Sequence, residues 1–332
     1  MSAFLRRPWV WQQCNGGQPE KLSAVPVVRP PVVAVVGPTA AGKSDLAVDL
    51  ARRLGGEIVN GDSMQIYRGM DIGTAKLTTA ERGGVPHHLL DILDPREPAT
   101  VAEFQQWARE AIADCRGRGV TPFLVGGSAL YVRAVVDRFE FPGTDPAVRE
   151  ALEAELSAHG PAALHARLET LDPVAAMAIL PSNGRRIVRA LEVVSITGRP
   201  FSATLPDRTY TYDRVHQIGV DVPRPVLDER IAARVERMWQ QGFVDEVRAL
   251  ESQGLREGRT ASRALGYAQV LRFLAGDCSE DDARVDTIRA TRRFARRQDS
   301  WFRKDPRIVW VGYDDPRRLD RAREVLDPTR SG

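Results

Sequence analysis

Short apolar runs alternate with helical patterns over the first half of the chain. Apolar positions that are contiguous and β-branched predict buried strands, and those spaced three or four residues apart predict amphipathic helices. The predicted elements are strands at 31–36, 57–59 and 122–125 and helices at 43–54 and roughly 101–116. Because strands alternate with helices, we expect an α/β fold with a parallel sheet between helical layers. Ligands of such sheets bind at the carboxyl ends of the strands.

The pattern changes after about residue 139. Residues 147–197 are rich in Ala, Leu, Glu and Arg without a convincing strand, which predicts an all-helical insertion. Further along, strands are predicted at 217–222 and 308–311 and helices at roughly 226–251, 264–275 and 280–303. The predicted organisation is a disordered extension over 1–30, an α/β catalytic core over 31–139 and 207–315, a helical insertion over 140–206 and a tail over 316–332.

Composition narrows the class of protein. Of 332 residues, 43% are hydrophobic and 27% charged, with a net charge of +3, as in soluble globular proteins. The cysteines at 14, 115 and 278 form no C-x-x-C pair, so a disulfide framework or a zinc site is not expected. No apolar run approaches the roughly 20 residues that cross a bilayer. We therefore predict a cytoplasmic protein.

Residues 37–44 fit G-x-x-x-x-G-K-[ST], the phosphate-cradling P-loop. A strand before this loop and a helix after it would aim backbone N–H groups and the positive helix end at one anion. Lys43 adds a positive charge, and the hydroxyl of Ser44 can bind Mg²⁺. An ordinary strand-to-helix turn is the alternative interpretation. The predicted diphosphate or triphosphate site is Gly37, Pro38, Thr39, Ala40, Ala41, Gly42, Lys43 and Ser44.

A second candidate group lies twenty residues further on. Asp62 directly follows the strand at 57–59, so it should share the sheet edge with the P-loop. The residue type allows three roles there: holding Mg²⁺, accepting a proton, or capping the next helix. Gly69 and Gly73 imply close turns in the segment that follows, where Arg68 and Lys76 add positive charge.

Together these motifs resemble one enzyme family. The chain resembles the bacterial tRNA dimethylallyltransferases, also called tRNA isopentenyltransferases, over about residues 33–311. The matching segments occur in the family's order, which makes the set far more specific than any one motif. They are Gly37–Ser44, Asp62–Lys76, Pro86–Pro95, Leu124–Tyr131, Arg185–Val193, Arg263–Tyr267 and Thr291–Trp301.

The resemblance implies a P-loop NTPase-like parallel sheet with an all-helical insertion. It implies transfer of a dimethylallyl group from dimethylallyl diphosphate to N6 of adenosine 37, just 3′ of the anticodon, in tRNAs that read codons beginning with U. It implies catalytic roles for Asp62, as general base, and for Thr39 and Arg234 beside the diphosphate. Mg²⁺, with Ser44 as its ligand, is the expected cofactor.

The resemblance also implies a set of tRNA contacts. The partners would be the anticodon stem-loop of tRNA and dimethylallyl diphosphate, with no membrane or protein partner and a monomeric enzyme. The implied contacts are Asp62, Ser63, Met64, Gln65, Ser128, Arg149, Arg185, Arg186, Ile187, Val188, Arg189, Arg263, Gly266 and Tyr267.

Two basic clusters are consistent with an RNA partner. Arginines 185, 186 and 189 form one, and residues 284–304 hold eight Arg and Lys residues against Asp286 and Asp299. A solvated face with ion pairs is the alternative, but acids are scarce in this stretch, so we interpret both clusters as phosphate contacts.

Two other function classes remain open alternatives. An ATP-dependent P-loop small-molecule kinase would need a buried strand ending in an acid for Mg²⁺, yet the strand at 122–125 ends in Gly-Gly. An RNA-binding GTPase-like module would need an Asn-Lys-x-Asp tetrapeptide, and none occurs.

Overall fold

Six parallel strands form the central sheet of the protein. The computed structural model describes residues 29–139, 141–204 and 208–326, so almost all of the predicted extension over 1–30 lies outside the described residues. The strands are β1 (Val32–Val36), β2 (Glu57–Asn60), β3 (His87–His88), β4 (Pro122–Gly126), β5 (Val215–Asp221) and β6 (Ile308–Gly312). Their order in the sheet is β3-β2-β4-β1-β5-β6, and every neighbouring pair is parallel. The predicted fold class is confirmed.

Helices cover both faces of this sheet. In chain order, the α-helices of the described residues are α1 (Lys43–Leu54), α2 (Val101–Gly117), α3 (Ala129–Val136), α4 (Pro146–Leu171), α5 (Pro173–Ala178), α6 (Gly184–Thr197), α7 (Arg224–Gln240), α8 (Phe243–Ser252), α9 (Tyr267–Leu274), α10 (Glu280–Phe302) and α11 (Arg318–Leu326), of which α4, α5 and α6 lie apart from the sheet. The sequence of strand β1 is an unbroken apolar run because both faces of the strand are buried. Val32, Ala34 and Val36 pack into one apolar layer, and Val33 and Val35 pack into the other.

Some boundaries differ from the predicted ones. The helix predicted over 226–251 is two helices, α7 and α8, because Gly242 has a φ of 90° and ends the helical path between them. The helix predicted from residue 264 begins only at Tyr267, after a short 3₁₀ turn. Strand β3 and helices α3 and α11 were not predicted. Helix α11 lies within the predicted tail, and its Ala322 is buried in the core.

Helices α4, α5 and α6 form a separate helical lobe. Leu152, Leu164, Leu168, Ile187 and Leu191 are among the residues of its own apolar core. The chain enters and leaves the lobe side by side, since Asp137 and Tyr210 form an antiparallel bridge. The Arg138 N–H donates to the Thr209 carbonyl and the Thr211 N–H to the Val136 carbonyl, both at 2.8 Å. The lobe therefore joins the core through a short two-stranded stem.

None of the helices in the described ranges is both long and apolar enough to span a bilayer.

Candidate active site

The P-loop joins the carboxyl end of β1 to the start of α1. Gly42 precedes α1 with a φ of 91°, and Ala40 also has a positive φ, 63°. A positive φ is costly for a residue with a Cβ, and such strain is typical of functional loops. The free N–H groups of the first turn of α1 belong to the same structure, so the loop and helix end form an anion site.

Two partly buried cations face this site. The Lys43 ammonium donates to the Pro38 carbonyl at 2.7 Å, and the Arg234 guanidinium donates to Thr39 Oγ1 at 3.4 Å. Burial, together with the charge of Arg234, lowers the pKa of Lys43 to about 8. Burial likewise lowers the pKa of Arg234. Within the described residues neither cation has an ion pair, so the site is electrostatically suited to an anion of more than one charge.

Asp62 lies beside these cations at the end of β2. The Gly61 N–H donates to the Val125 carbonyl at 2.7 Å, and the Asp62 N–H donates to Asn60 Oδ1 at 2.9 Å. Asp62 Oδ1 accepts the Met64 N–H at 2.8 Å. Its carboxylate also acts on the two cations electrostatically, since it favours the charged form of Lys43 and of Arg234. The strand end and the turn therefore fix one carboxylate oxygen, and no hydrogen bond from the described residues occupies the other.

Two cavities meet at this point. The smaller holds Lys43 and Ser44 and has apolar walls that include Val48, Ile58 and Leu77. The larger opens between the 62–64 turn and helices α7, α9 and α10. The residues that line both are Thr39, Asp62, Thr74, Ala75, Arg234, Phe294 and Gln298. A substrate in one cavity and a substrate in the other would therefore meet at Thr39, Asp62 and Arg234.

Gln298 joins this site from helix α10. Its Oε1 accepts the Thr39 N–H at 2.9 Å, and its Nε2 donates to the Gly127 carbonyl at 2.8 Å. A Cβ at Gly127 would lie 2.4 Å from Gln298 Nε2, so position 127 must be glycine for the amide to reach both partners. This glutamine was not among the predicted site residues, and it holds the Thr39 N–H of the P-loop in place.

Glu246 is a second site residue that the sequence did not indicate. Its carboxylate accepts the backbone N–H groups of Asp71, Ile72 and Gly73 at 3.1, 2.7 and 3.2 Å. It also accepts the Tyr267 hydroxyl at 2.6 Å. Gly73 and the residue after it line the larger cavity, so Glu246 holds one wall of that cavity in place.

We expect Glu246→Gln to loosen this wall. A neutral amide is a weaker acceptor than a carboxylate, and its NH₂ group would face backbone N–H donors, so we expect a loss of about 2–3 kcal/mol in the free energy of unfolding. Thermal denaturation would measure this loss. Asp245→Asn is the matched control, because Asp245 is exposed and its one ion pair among the described residues is with Arg248 on the surface. Equal stability of the two variants would contradict the role of Glu246.

The predicted tRNA contacts fall into two separate groups. Ser63, Met64, Ser128, Arg263, Gly266 and Tyr267 line the larger cavity together with Asp62. Gln65 lines the smaller cavity, and its Nε2 donates to the Thr74 carbonyl at 3.1 Å. The remaining six lie in the helical lobe and are Arg149, Arg185, Arg186, Ile187, Val188 and Arg189.

Several of these side chains are occupied or buried. Arg149 and Arg189 both bind the fully buried carboxylate of Glu192, at 2.5 and 2.7 Å. Ile187 and Val188 are buried in the core of the lobe. Tyr267 is also buried, and its hydroxyl is taken by Glu246. In this conformation only Arg185 and Arg186 of the lobe set offer exposed side chains without an ion pair among the described residues.

The basic stretch of α10 is more extensively paired than its sequence indicated. Arg284 binds Glu236 and Asp281, and Arg289 binds Asp286. Arg303, just past the helix end, binds Asp221 and Asp299. Acids from distant elements thus pair with two of these arginines, since Glu236 belongs to α7 and Asp221 to β5, whereas Asp286, the partner of Arg289, lies within the stretch itself. Arg297 instead lines the larger cavity, and Arg293 and Arg296 line a groove on the outer surface.

The pKa of Lys43 makes anion binding dependent on pH. At pH 7 its ammonium is mostly charged, whereas above about pH 8 the free protein loses this charge and must take up a proton to bind an anion. We expect the affinity for inorganic diphosphate to fall through this range, by up to about tenfold per pH unit. Titration calorimetry in buffers of different ionisation enthalpy would measure the proton uptake. Lys43→Arg is the control, because arginine stays charged over this range and any remaining pH dependence comes from ionisation of the diphosphate itself. Identical pH profiles for the Lys43→Arg variant and the unsubstituted protein would contradict the lowered pKa of Lys43.

A parallel sheet whose first strand leads through this loop into a helix defines a P-loop-type protein. Comparison with known sequences assigns it more narrowly. A sequence model described as IPP transferase matches residues 65–305, and one described as isopentenyl transferase matches residues 30–91. A tRNA dimethylallyltransferase of Nocardioides sp. is 65% identical, over 92% of this chain and 98% of the relative. One of Streptomyces coelicolor is 69% identical, over 90% and 96%.

Solved structures agree with this assignment. The tRNA isopentenylpyrophosphate transferase of Bacillus halodurans is 41% identical with a TM-score of 0.65, over 89% of this chain and 96% of that one. A eukaryotic dimethylallyltransferase acting on tRNA is 26% identical with a TM-score of 0.75, over 86% and 74%. The chain belongs to the tRNA dimethylallyltransferase family and is a prenyltransferase. The alternative of a small-molecule kinase is not favoured.

Proposed function

We propose that the protein transfers a dimethylallyl group from dimethylallyl diphosphate to N6 of adenosine 37 in tRNAs that read codons beginning with U. The observation that carries this proposal is the placement of Asp62 between two cavities, beside the cations Lys43 and Arg234. The P-loop, with the unpaired cations Lys43 and Arg234 beside it, is suited to binding a diphosphate. The carboxylate of Asp62 at the junction of the cavities can act as a proton acceptor. The kinase alternative lacks an acid at the end of β4.

The smaller cavity suits dimethylallyl diphosphate. The loop N–H groups, Lys43 and Arg234 would bind the diphosphate, while the apolar walls would accept the C5 group. Thr39 receives a hydrogen bond from Arg234 and lies at the junction, where its hydroxyl can donate a hydrogen bond to the leaving oxygen. Ser44, the second residue of α1, would contribute a hydroxyl ligand to Mg²⁺, which would neutralise the charge of the diphosphate.

The larger cavity suits an adenine that has left its stack. A base in a single-stranded loop can be turned into a protein pocket at lower cost than a base in a duplex. As the adenine N6 bonds to the allylic carbon, the carbon–oxygen bond to the diphosphate breaks. The free carboxylate oxygen of Asp62 accepts the proton that N6 loses. Lys43 and Arg234 stabilise the charge that develops on the departing diphosphate.

Mass spectrometry of the tRNA tests this proposal. Unmodified tRNA incubated with the protein, Mg²⁺ and dimethylallyl diphosphate should gain one C5H8 unit on adenosine 37, and tRNA with guanosine at that position should gain none. ATP hydrolysis stimulated by tRNA, with no mass gain from dimethylallyl diphosphate, would instead support the kinase alternative. A monomeric enzyme in the cytoplasm remains part of the proposal, and sedimentation of the protein alone and with tRNA would test its oligomeric state.

A further inference from the structure

The segment from the end of α4 to the turn before α6 exposes several large apolar side chains. Leu171, Val174, Met177 and Leu180 are 44%, 59%, 83% and 71% exposed, and we call these four residues the apolar patch. Ten large apolar side chains are exposed in the described part of the chain, and four of them lie in these ten consecutive residues. Exposed apolar residues that occur singly are ordinary, whereas a contiguous group marks a binding surface.

The backbone beneath the patch is held firmly. The Asp172 carboxylate accepts the Ala175 N–H at 3.0 Å and the Ser202 N–H at 2.7 Å. His165 Nε2 lies 3.0 Å from the carbonyls of both Ala176 and Ile179. The side chains of residues 175, 176 and 179 pack into the core of the lobe, whereas Val174, Met177 and Leu180 recur every third residue on the exposed side of the same segment. The patch is therefore a preformed surface.

Two uncompensated cations border the patch. The Asn183 N–H donates to the Leu180 carbonyl at 2.9 Å, and this turn brings Leu180 next to the start of α6, where Arg185 and Arg186 lie exposed. Neither arginine has an ion pair in the described structure, in contrast to Arg149 and Arg189, which bind Glu192. The surface thus combines apolar side chains with two free guanidinium groups.

We infer that the apolar patch is a docking surface for unstacked bases of the anticodon loop, with Arg185 and Arg186 binding the adjacent phosphates. Single-stranded RNA presents both apolar base faces and negative charge, which this surface complements. A second copy of the chain fits less well, because a symmetric contact through the patch would bring four arginines together. This inference rests on the proposed function.

The double variant Met177→Gln with Leu180→Gln tests the inference. We expect the KM for the anticodon stem-loop to rise about tenfold, since two apolar side chains lose their burial in the complex. The kcat and the KM for dimethylallyl diphosphate should not change. Because no phosphate contact is removed, the slope of log affinity against log salt should also stay the same. In Arg185→Ala with Arg186→Ala this slope should become less steep by about one to two units.

Leu54→Gln is the matched control. Leu54 is another exposed leucine, at the end of α1 and so at the opposite end of the sheet from the site. The inference would be overturned if the KM of the double variant for the stem-loop stayed within twofold of the value for the unsubstituted protein. It would also be overturned if the unsubstituted protein were a dimer and the double substitution dissociated it. These results differ from failure of the proposed function, in which the unsubstituted protein itself would prenylate no tRNA.

Discussion

Replacing Lys43 with alanine should abolish dimethylallyl transfer. The ammonium lies in the smaller cavity, within the P-loop, and its loss leaves the diphosphate with one cation fewer in a partly desolvated site. A charge pair 4 Å apart at an effective dielectric constant of about 20 is worth about 4 kcal/mol, or roughly 10³-fold in binding. The charge on the leaving group grows in the transition state, so we expect the loss in transfer to exceed the loss in binding.

Single-turnover transfer and competition by inorganic diphosphate would measure the two effects separately. In the unsubstituted protein, inorganic diphosphate should compete with dimethylallyl diphosphate, whereas ATP should compete poorly because the site offers only a diphosphate cradle. Arg52→Ala removes an exposed charge from the last turn of the same helix and serves as control. Retention of diphosphate binding in Lys43→Ala would remove this lysine from the proposed site.

Asp62→Asn should lower kcat by about 10²-fold or more while the KM for tRNA changes little. An amide cannot accept the proton from N6 as a carboxylate does, and general-base catalysis contributes about 10²–10⁴-fold. The amide oxygen can still accept the Met64 N–H, so the turn that Asp62 begins should keep its shape. Asp62→Ala removes this acceptor as well, and is therefore the less specific substitution.

Rapid-quench measurement of prenylated tRNA at saturating concentrations of both substrates would test this prediction. Asn60 offers a comparison, because its side chain donates to the backbone carbonyls of Asp62 and Leu89 and so holds the same turn, but it lies two residues before the carboxylate. Turnover near normal in Asp62→Asn would show that another group accepts the proton.

Much of the fold follows from local patterns. The alternation of apolar runs and helical spacing predicts five of the six strands, because buried parallel strands are apolar on both faces. Strand β3 could not be predicted because it is only two residues long and consists of His87 and His88, which form no apolar run. The break between α7 and α8 could not be predicted because a single glycine inside a helical pattern does not by itself determine whether the helix ends there.

The site is predicted only in the parts that are local in sequence. The P-loop and Asp62 each directly follow a strand, so their common edge could be expected. Glu246 accepts backbone N–H groups that lie 173 to 175 residues away in the sequence, and Gln298 accepts one that lies 259 residues away. Contacts between residues so far apart leave no local pattern from which they could be predicted. The ion pairs of Arg284 and Arg303 also depend on acids from distant elements, which is why charge counting along α10 overestimated its free cations.

The bond from Gln298 to the P-loop has a consequence for synthesis on the ribosome. The loop at residues 37–44 emerges early, but the side chain that fixes its Thr39 N–H belongs to the last long helix. Strands β5 and β6, which extend the sheet beyond β1, also follow the helical lobe. A nascent chain therefore contains residues 37–44 long before Gln298 is present to hold the loop in its final conformation. The substrate site is complete only when nearly the whole polypeptide has been made.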